Sequence, residues 1–172
     1  LFELRPFFWT QKKKLKIYGN KLTINLLKNR QNYLFKKINF YPPIFESSLI
    51  KSKFSLGKKN EKINFDTITV KHGWTKSVGY IFEKTAYLSD CNDLSIINLK
   101  KLKNLNFLII DCLKYKQHPS HFNLEESLYV HEHLKPKKTV LTNLHYDLDY
   151  DVLSKKLPKN VVPAFDGLKL NL

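Results

Sequence analysis

Cysteine is almost missing from this 172-residue chain, which has only Cys91 and Cys112. Two thiols do not make a disulfide framework, and they are too few for a four-ligand structural zinc site. Long apolar runs are missing too, and no charged-then-apolar leader opens the chain, so the expectation is a soluble, cytoplasmic protein with no membrane partner. Arginine is scarce: Arg5 and Arg30 stand among 30 basic residues, and the rest are lysines. The formal net charge of +15 would ordinarily raise nucleic acid or anionic lipid as a partner. A lysine-dominated excess in a chain also rich in Asn and Ile is, however, what an AT-biased coding sequence produces. Compositional drift is the preferred of the two readings, and a phosphate-bearing substrate is compatible with both. There is no Gly-x-Ser-x-Gly elbow, so a serine hydrolase has no support. Gly57-Lys58 lacks the rest of a phosphate-binding loop. With no repeat, no linker and 42% apolar residues, residues 1–172 are expected to form one domain, or a large part of one.

What is present reads as alternating strands and helices. Leu15–Tyr18 predicts a short strand, and Asn20 can cap a helix from Lys21 to Phe35 with Leu22, Leu26, Tyr33 and Leu34 near one face. Residues 36–60 look irregular, open to a strand or a lid over a site. Ile63–Lys71 alternates apolar and polar residues as a strand ending at His72-Gly73. Val78–Phe82 and Thr85–Leu88 predict further strands, and Ser95–Leu105 an amphipathic helix. Phe107–Leu113 is almost wholly apolar, as a central buried strand should be. Asn123 opens a helix with Glu125 and Glu126 in its favourable first turn. Thr139–Thr142 predicts a strand, Asp149–Leu157 a helix, and Leu168–Leu170 a last strand after an Asp166-Gly167 turn. The alternation from about residue 85 onward argues for an α/β sheet covered by helices.

Four stretches place a His or Asp just past a strand: Val70-Lys71-His72-Gly73, Leu88-Ser89-Asp90-Cys91, His118-Pro119-Ser120-His121 and Thr142-Asn143-Leu144-His145. Taken singly, His72 and His145 are more often loop histidines bonded to backbone, Asp90 a turn or cap residue, and His118 and His121 members of a solvated loop. Their recurrence at strand ends is what suggests a shared site, since imidazole with carboxylate suits zinc, manganese or iron. His131-Glu132-His133 lacks the four-residue spacing that puts two ligands on one helix face. His131 shares the face of Leu124 and Leu128 and reads as a structural histidine, while His133 faces water. Lys12-Lys13-Lys14 reads as solvated surface.

In this order the motifs resemble the later two-thirds of a metallo-β-lactamase-fold hydrolase. The branch is that of the phosphoribosyl cyclic phosphate phosphodiesterase, with ribonuclease Z more distant. Glu3-Leu4-Arg5-Pro6-Phe7-Phe8 resembles the segment after the family's first metal motif, and Ile17-Tyr18-Gly19 its next strand. His72-Gly73 with Gly79-Tyr80 resembles the third metal motif, and Leu88-Ser89-Asp90-Cys91 the bridging-aspartate motif. Ser120-His121-Phe122-Asn123-Leu124 resembles the loop carrying a catalytic histidine. Leu141-Thr142-Asn143-Leu144-His145 resembles the last metal motif, and Phe165-Asp166-Gly167 the closing strand.

The resemblance implies an αββα four-layer sandwich and a site for two divalent ions, zinc or manganese. His72 would bind one ion, Asp90 would bridge both, and a metal-bridged hydroxide would attack phosphorus. His121 would act at the leaving oxygen. Asp111 would either orient a ligand histidine or make a structural hydrogen bond. The implied substrate is a small cyclic phosphate or nucleotide-like ester, ahead of nucleic acid; family members are often homodimers. Two departures stand out. Where many members read Thr-His, Thr142 is followed by Asn143. His145, two residues on, returns to the same side of an extended segment and is the favoured last ligand, with the Asn143 carbonyl as a weaker alternative. The family's His-x-His-x-Asp-His motif would precede Leu4, and this chain opens at Leu1. The expectation is therefore a sequence lacking the first strands, the full protein being the enzyme and this piece alone inactive. If Leu1 were the true start, a metal-free, non-catalytic protein would be the reading.

Overall fold

Pro6 sits in the first turn of a short helix, α1 (Arg5–Gln11), that follows a 3-10 turn at Phe2–Leu4. Its fixed φ suits that position, where the missing N–H costs nothing. Neither element is foreseen from periodicity. The computed structural model describes residues 1–58 and 60–171, and of Ile96 and Ile97 only the backbone. Lys59 in the irregular stretch and Leu172 at the close lie outside the described residues. The chain forms two compact units, Leu1–Lys51 and Ser52–Leu172.

In the first unit, β1 (Leu15–Gly19) precedes α2 (Lys21–Arg30), whose Asn20 cap accepts the Thr23 N–H at 2.8 Å. The expected single helix to Phe35 is two helices. It breaks at Gln31 (φ −129°) inside Asn29-Arg30-Gln31-Asn32, and α3 (Asn32–Phe35) follows; the asparagines there are weak helix formers. The apolar face also differs from expectation. Ile24 and Leu34 are buried, whereas Leu22, Leu26 and Tyr33 are exposed. Part of the segment read as irregular is β2 (Phe45–Leu49), which pairs in parallel with β1. Ile44 and Phe45 join Leu34 in this unit's small core.

The second unit is a seven-stranded sheet whose strands lie in chain order. They are β3 (Lys53–Leu56), β4 (Ile63–His72), β5 (Thr75–Phe82), β6 (Thr85–Leu88), β7 (Phe107–Asp111), β8 (Lys138–Thr142) and β9 (Val161–Pro163). Neighbours from β3 to β6 are antiparallel, and those from β6 to β9 are parallel. The parallel part needs crossovers, and helices supply them: α4 (Ile96–Lys101), α5 (Leu124–Leu134) and α6 (Tyr150–Lys156). Ser95, Asn123 and Asp149 cap them. At α5 the cap is a full capping box, with the Glu126 side chain returning to the Asn123 N–H at 2.9 Å. Helix α4 ends earlier than its pattern suggests, and residues 168–170 form no strand after the expected turn.

The core gathers between the parallel strands and their helices: Leu88, Leu108, Ile110 and Leu141 on the strands and Leu153 on α6 are fully buried. Because β4 and β6 both run antiparallel to β5, β4 points the same way as β6, β7 and β8. The C-terminal ends of these four strands therefore lie on one edge of the sheet, where α/β folds build their sites. Among the described residues, no helix is long and apolar enough to cross a membrane.

Candidate metal centre

The four strand ends deliver His72, Asp90, the pair Asp111–His121, and Asn143 to that edge. One ligand atom each from His72, Asp90 and His121 lies within 4.8 Å of the others, although the three residues come from different loops. The His72 and His121 rings meet edge-on, with centroids 4.7 Å apart.

Neighbouring groups set the chemistry of each donor. His72 Nδ1 lies 2.8 Å from the Ser120 carbonyl oxygen. A carbonyl only accepts, so Nδ1 carries the proton and donates it, leaving the Nε2 lone pair free. His121 Nδ1 lies 2.6 Å from Asp111 Oδ2, which likewise directs Nδ1–H to the carboxylate and frees Nε2. A histidine whose other ring N–H is held by a carbonyl or carboxylate is how metal-ligating imidazoles are oriented. Asp90 is exposed and offers its carboxylate. The His72 Nε2 lone pair and the Asp90 carboxylate, with the His121 imidazole beside them, suit a divalent ion with open positions, so the residues present fit such an ion.

Asp111 ends β7 with no solvent exposure. Its Oδ2 also accepts the Cys91 N–H at 3.0 Å, and its Oδ1 the Asn143 amide at 3.3 Å. Burial pushes the carboxyl above its ordinary pKa, while the donors Cys91, His121 and Asn143 pull it back. Asp111 thus contacts both the loop that presents Asp90 and the ring of His121.

Asn143 and His145 part company. Asn143 has φ +65°, the left-handed region that Asn tolerates better than most residues. Its amide donates to the Ser89 carbonyl at 2.8 Å and sits 3.5 Å from Asp90 Oδ1. The left-handed residue ends the extended path after Thr142, so the alternation that would bring His145 to the same side does not hold. His145 lies outside the cluster. Its N–H donates to the Leu113 carbonyl at 2.8 Å, and its ring packs on Tyr146 at 4.1 Å. His145 Nδ1 is 3.1 Å from Asp147 Oδ1, an approach off hydrogen-bond geometry that leaves this nitrogen without a partner. His118 also stays outside the donor group; its Nδ1 faces the Ser120 hydroxyl at 3.2 Å. His131 is the structural histidine expected, buried with Nδ1 2.8 Å from the Thr139 hydroxyl.

Asn92, which sequence reasoning passes over, and Gly73 tie the loops together. Asn92 Oδ1 accepts the Gly73 N–H at 2.9 Å, and Asn92 Nδ2 donates to the Pro119 carbonyl at 3.1 Å. Gly73 has φ +59°, and a Cβ there would lie 3.0 Å from Ser120 Cβ. The one available signal is the Gly after His72, since a tight turn and a close approach both call for glycine.

Comparison with known proteins gives the family and the fold. A curated relative, an octanoyltransferase of Porphyromonas gingivalis, is 27% identical over 98% of this chain, but the match spans only 34% of that protein. A solved structure described as a new diphosphatase from the PhnP family is 28% identical, with a TM-score of 0.85; the match covers 98% of this chain and 63% of that one. Human tRNase Z, short form, shares the fold at 14% identity and a TM-score of 0.58, over 91% of this chain and 67% of its own. The chain thus spans a third to two-thirds of the length of these proteins. The family described as "Beta-lactamase superfamily domain" matches residues 1–146. The chain belongs to that family and has the α/β metallo-β-lactamase fold of metal-dependent hydrolases, related to the PhnP family.

Proposed function

We propose that the protein to which this chain belongs is a metal-dependent phosphodiesterase acting on a small cyclic phosphate or nucleotide-like ester. The observation that carries this reading is the convergence of His72, Asp90 and His121 at one sheet edge, with Asp111 behind His121. The likeness to a diphosphatase over 98% of the chain supports phosphorus chemistry. A ribonuclease Z-like nuclease is the second reading, favoured by the net charge of +15. The octanoyltransferase likeness extends over 34% of that protein, so its name describes a longer molecule.

When bound, a divalent ion such as zinc or manganese supplies Lewis-acid polarisation of the phosphoryl group and acidifies water. His72 Nε2 and the Asp90 carboxylate would hold it. His121 presents Nε2 on the side of the ring away from Asp111, aimed at the same place. A protonated His121 would give its Nε2 proton to the leaving oxygen. Asp111 fixes the ring plane through the 2.6 Å contact. Asn143 holds the Ser89 carbonyl and Asp111 Oδ1, keeping the Asp90 loop against β7.

The test is hydrolysis of a bis-aryl phosphodiester by the full-length protein. Asp90→Ala is expected to abolish metal-dependent turnover, and activity retained at the wild-type level would refute its role. His121→Ala is expected to lower turnover while bound metal is kept; loss of metal would instead make His121 a ligand.

A further inference from the structure

Of the two histidines in the 118–121 loop, His118 is the one that the metal centre leaves over, yet its ring lies beside that centre. His121 is in ring contact with His72, centroids 4.7 Å apart, and with His118, centroids 5.2 Å apart. The three imidazoles carry their protons in two different ways. His72 and His121 direct Nδ1–H to the Ser120 carbonyl and to Asp111, and keep a lone pair on Nε2. His118 is the reverse. Its Nδ1 accepts the Ser120 backbone N–H at 3.4 Å and lies 3.2 Å from the Ser120 hydroxyl. A backbone N–H only donates, so Nδ1 holds the lone pair and Nε2 carries the proton. Among the described residues nothing accepts that proton, and Nε2 is not sealed from solvent.

In this tautomer His118 has no free lone pair, so it is not a further metal ligand. It offers a neutral N–H instead. Desolvation, and then the nearby His121, Lys114 and His72, hold its pKa below the ordinary histidine value, in keeping with a neutral ring. The loop that carries it is pinned on both sides. The Leu113 N–H goes to the Phe122 carbonyl at 2.8 Å, the Leu124 N–H to the Lys114 carbonyl at 3.0 Å, and Asn92 Nδ2 to the Pro119 carbonyl at 3.1 Å. A donor held in place before the ligand arrives needs no reorganisation to act. Lone pairs take a cation, whereas an N–H takes an anionic oxygen. Both kinds of group side by side suit a phosphoryl group at a metal centre.

Resting on the phosphodiesterase reading above, we infer that His118 is a phosphate-binding residue, whose Nε2–H donates to a non-bridging phosphoryl oxygen of the substrate beside His121. The other role open to it is a brace that holds the loop through Ser120.

Two substitutions separate these roles. In His118→Asn the side-chain oxygen stands in for Nδ1 and keeps the Ser120 N–H in a two-residue Asx turn, but no donor reaches the place of Nε2. In His118→Gln the longer amide brings an N–H to that place and gives up the Ser120 contact. The experiment titrates inorganic phosphate, by calorimetry, into the zinc-loaded full-length protein. Phosphate affinity is expected to fall roughly 10- to 100-fold in His118→Asn, the range for one hydrogen bond to a charged group, and to recover much of that loss in His118→Gln. Hydrolysis of the bis-aryl ester should follow the same order, with kcat roughly 100- to 1,000-fold lower in His118→Asn. Wild-type affinity in His118→Asn, a larger loss in His118→Gln than in His118→Asn, or no phosphate binding by the wild type would each overturn the inference. The phosphodiesterase reading is judged separately, by turnover of the bis-aryl ester in the wild type, because phosphate can bind through His118 whether or not that ester is hydrolysed.

Discussion

Asp111 decides between a carboxylate that organises the metal centre and one that only braces the core. Consider Asp111→Asn and Asp111→Ala. The wild-type carboxylate has no solvent exposure and accepts three donors: the Cys91 N–H at 3.0 Å, His121 Nδ1 at 2.6 Å and Asn143 Nδ2 at 3.3 Å. Asparagine keeps the shape but has one acceptor oxygen. Its better orientation keeps that oxygen toward Cys91 and His121 and turns its own NH2 toward the Asn143 amide. One hydrogen bond is lost, and the His121 contact falls from charge-assisted to neutral, about half as strong. Against this, a buried charge is removed, so stability should change by only about 1 kcal/mol.

The effect on turnover should be larger. Losing the carboxylate that orients an acting imidazole typically costs 10- to 100-fold in activity, equivalent to about 1.4–2.7 kcal/mol. Alanine should act on both quantities. It leaves the buried Cys91 N–H without an acceptor, at about 1–3 kcal/mol, and opens a small void as well. The assays are hydrolysis of the bis-aryl phosphodiester by the full-length protein and urea unfolding of the metal-free chain. Turnover in Asp111→Asn equal to wild type, alongside a strongly destabilised Asp111→Ala, would refute the organising role and make Asp111 purely structural.

Asn143→Ala is expected to reduce metal content more than His145→Ala, because Asn143 reaches toward Asp90 and Asp111 and His145 does not; a larger loss in His145→Ala would reverse the assignment. Gly73→Ala places a side chain at φ +59° and a Cβ 3.0 Å from Ser120 Cβ. The left-handed strain alone costs about 1–2 kcal/mol, and the displaced 119–121 loop should lower zinc affinity too. A variant with unchanged urea midpoint and zinc affinity would contradict this account. Burial pushes both thiols, Cys91 and Cys112, from 9.0 up to about 12. At pH 8 the folded chain should therefore alkylate about 1,000-fold more slowly than the urea-unfolded chain, and comparable rates would refute the burial. The same shift favours the folded state below pH 9 and should be lost progressively as the pH rises from about 9 toward 12.

Much of the second unit can be read locally. The apolar run Phe107–Asp111 is the buried strand β7, and the cap residues Asn20, Ser95, Asn123 and Asp149 stand where helices begin. These features depend on backbone groups within a few residues of each side chain, so composition and spacing carry them. Strand β2 escapes such reading. Phe45-Glu46-Ser47-Ser48-Leu49 has no strong alternation, and it becomes a strand by pairing in parallel with β1, distant in the chain. The helix break at Gln31 is likewise a matter of weak propensities that packing arbitrates.

The candidate donors His72, Asp90 and His121 were visible as residues at strand ends, and the resemblance assigned them roles. The sequence by itself determined that these groups lie at strand ends of an α/β sheet, because hydrophobic period and capping chemistry are local. Only the tertiary structure decided which of them meet. Strand direction across β4 to β8 brings three loops to one edge, and a single left-handed residue, Asn143, turns His145 away from it. Register, strand direction and one dihedral angle are properties of chain segments tens of residues apart or of a single backbone choice, and neither leaves a periodic trace in the sequence.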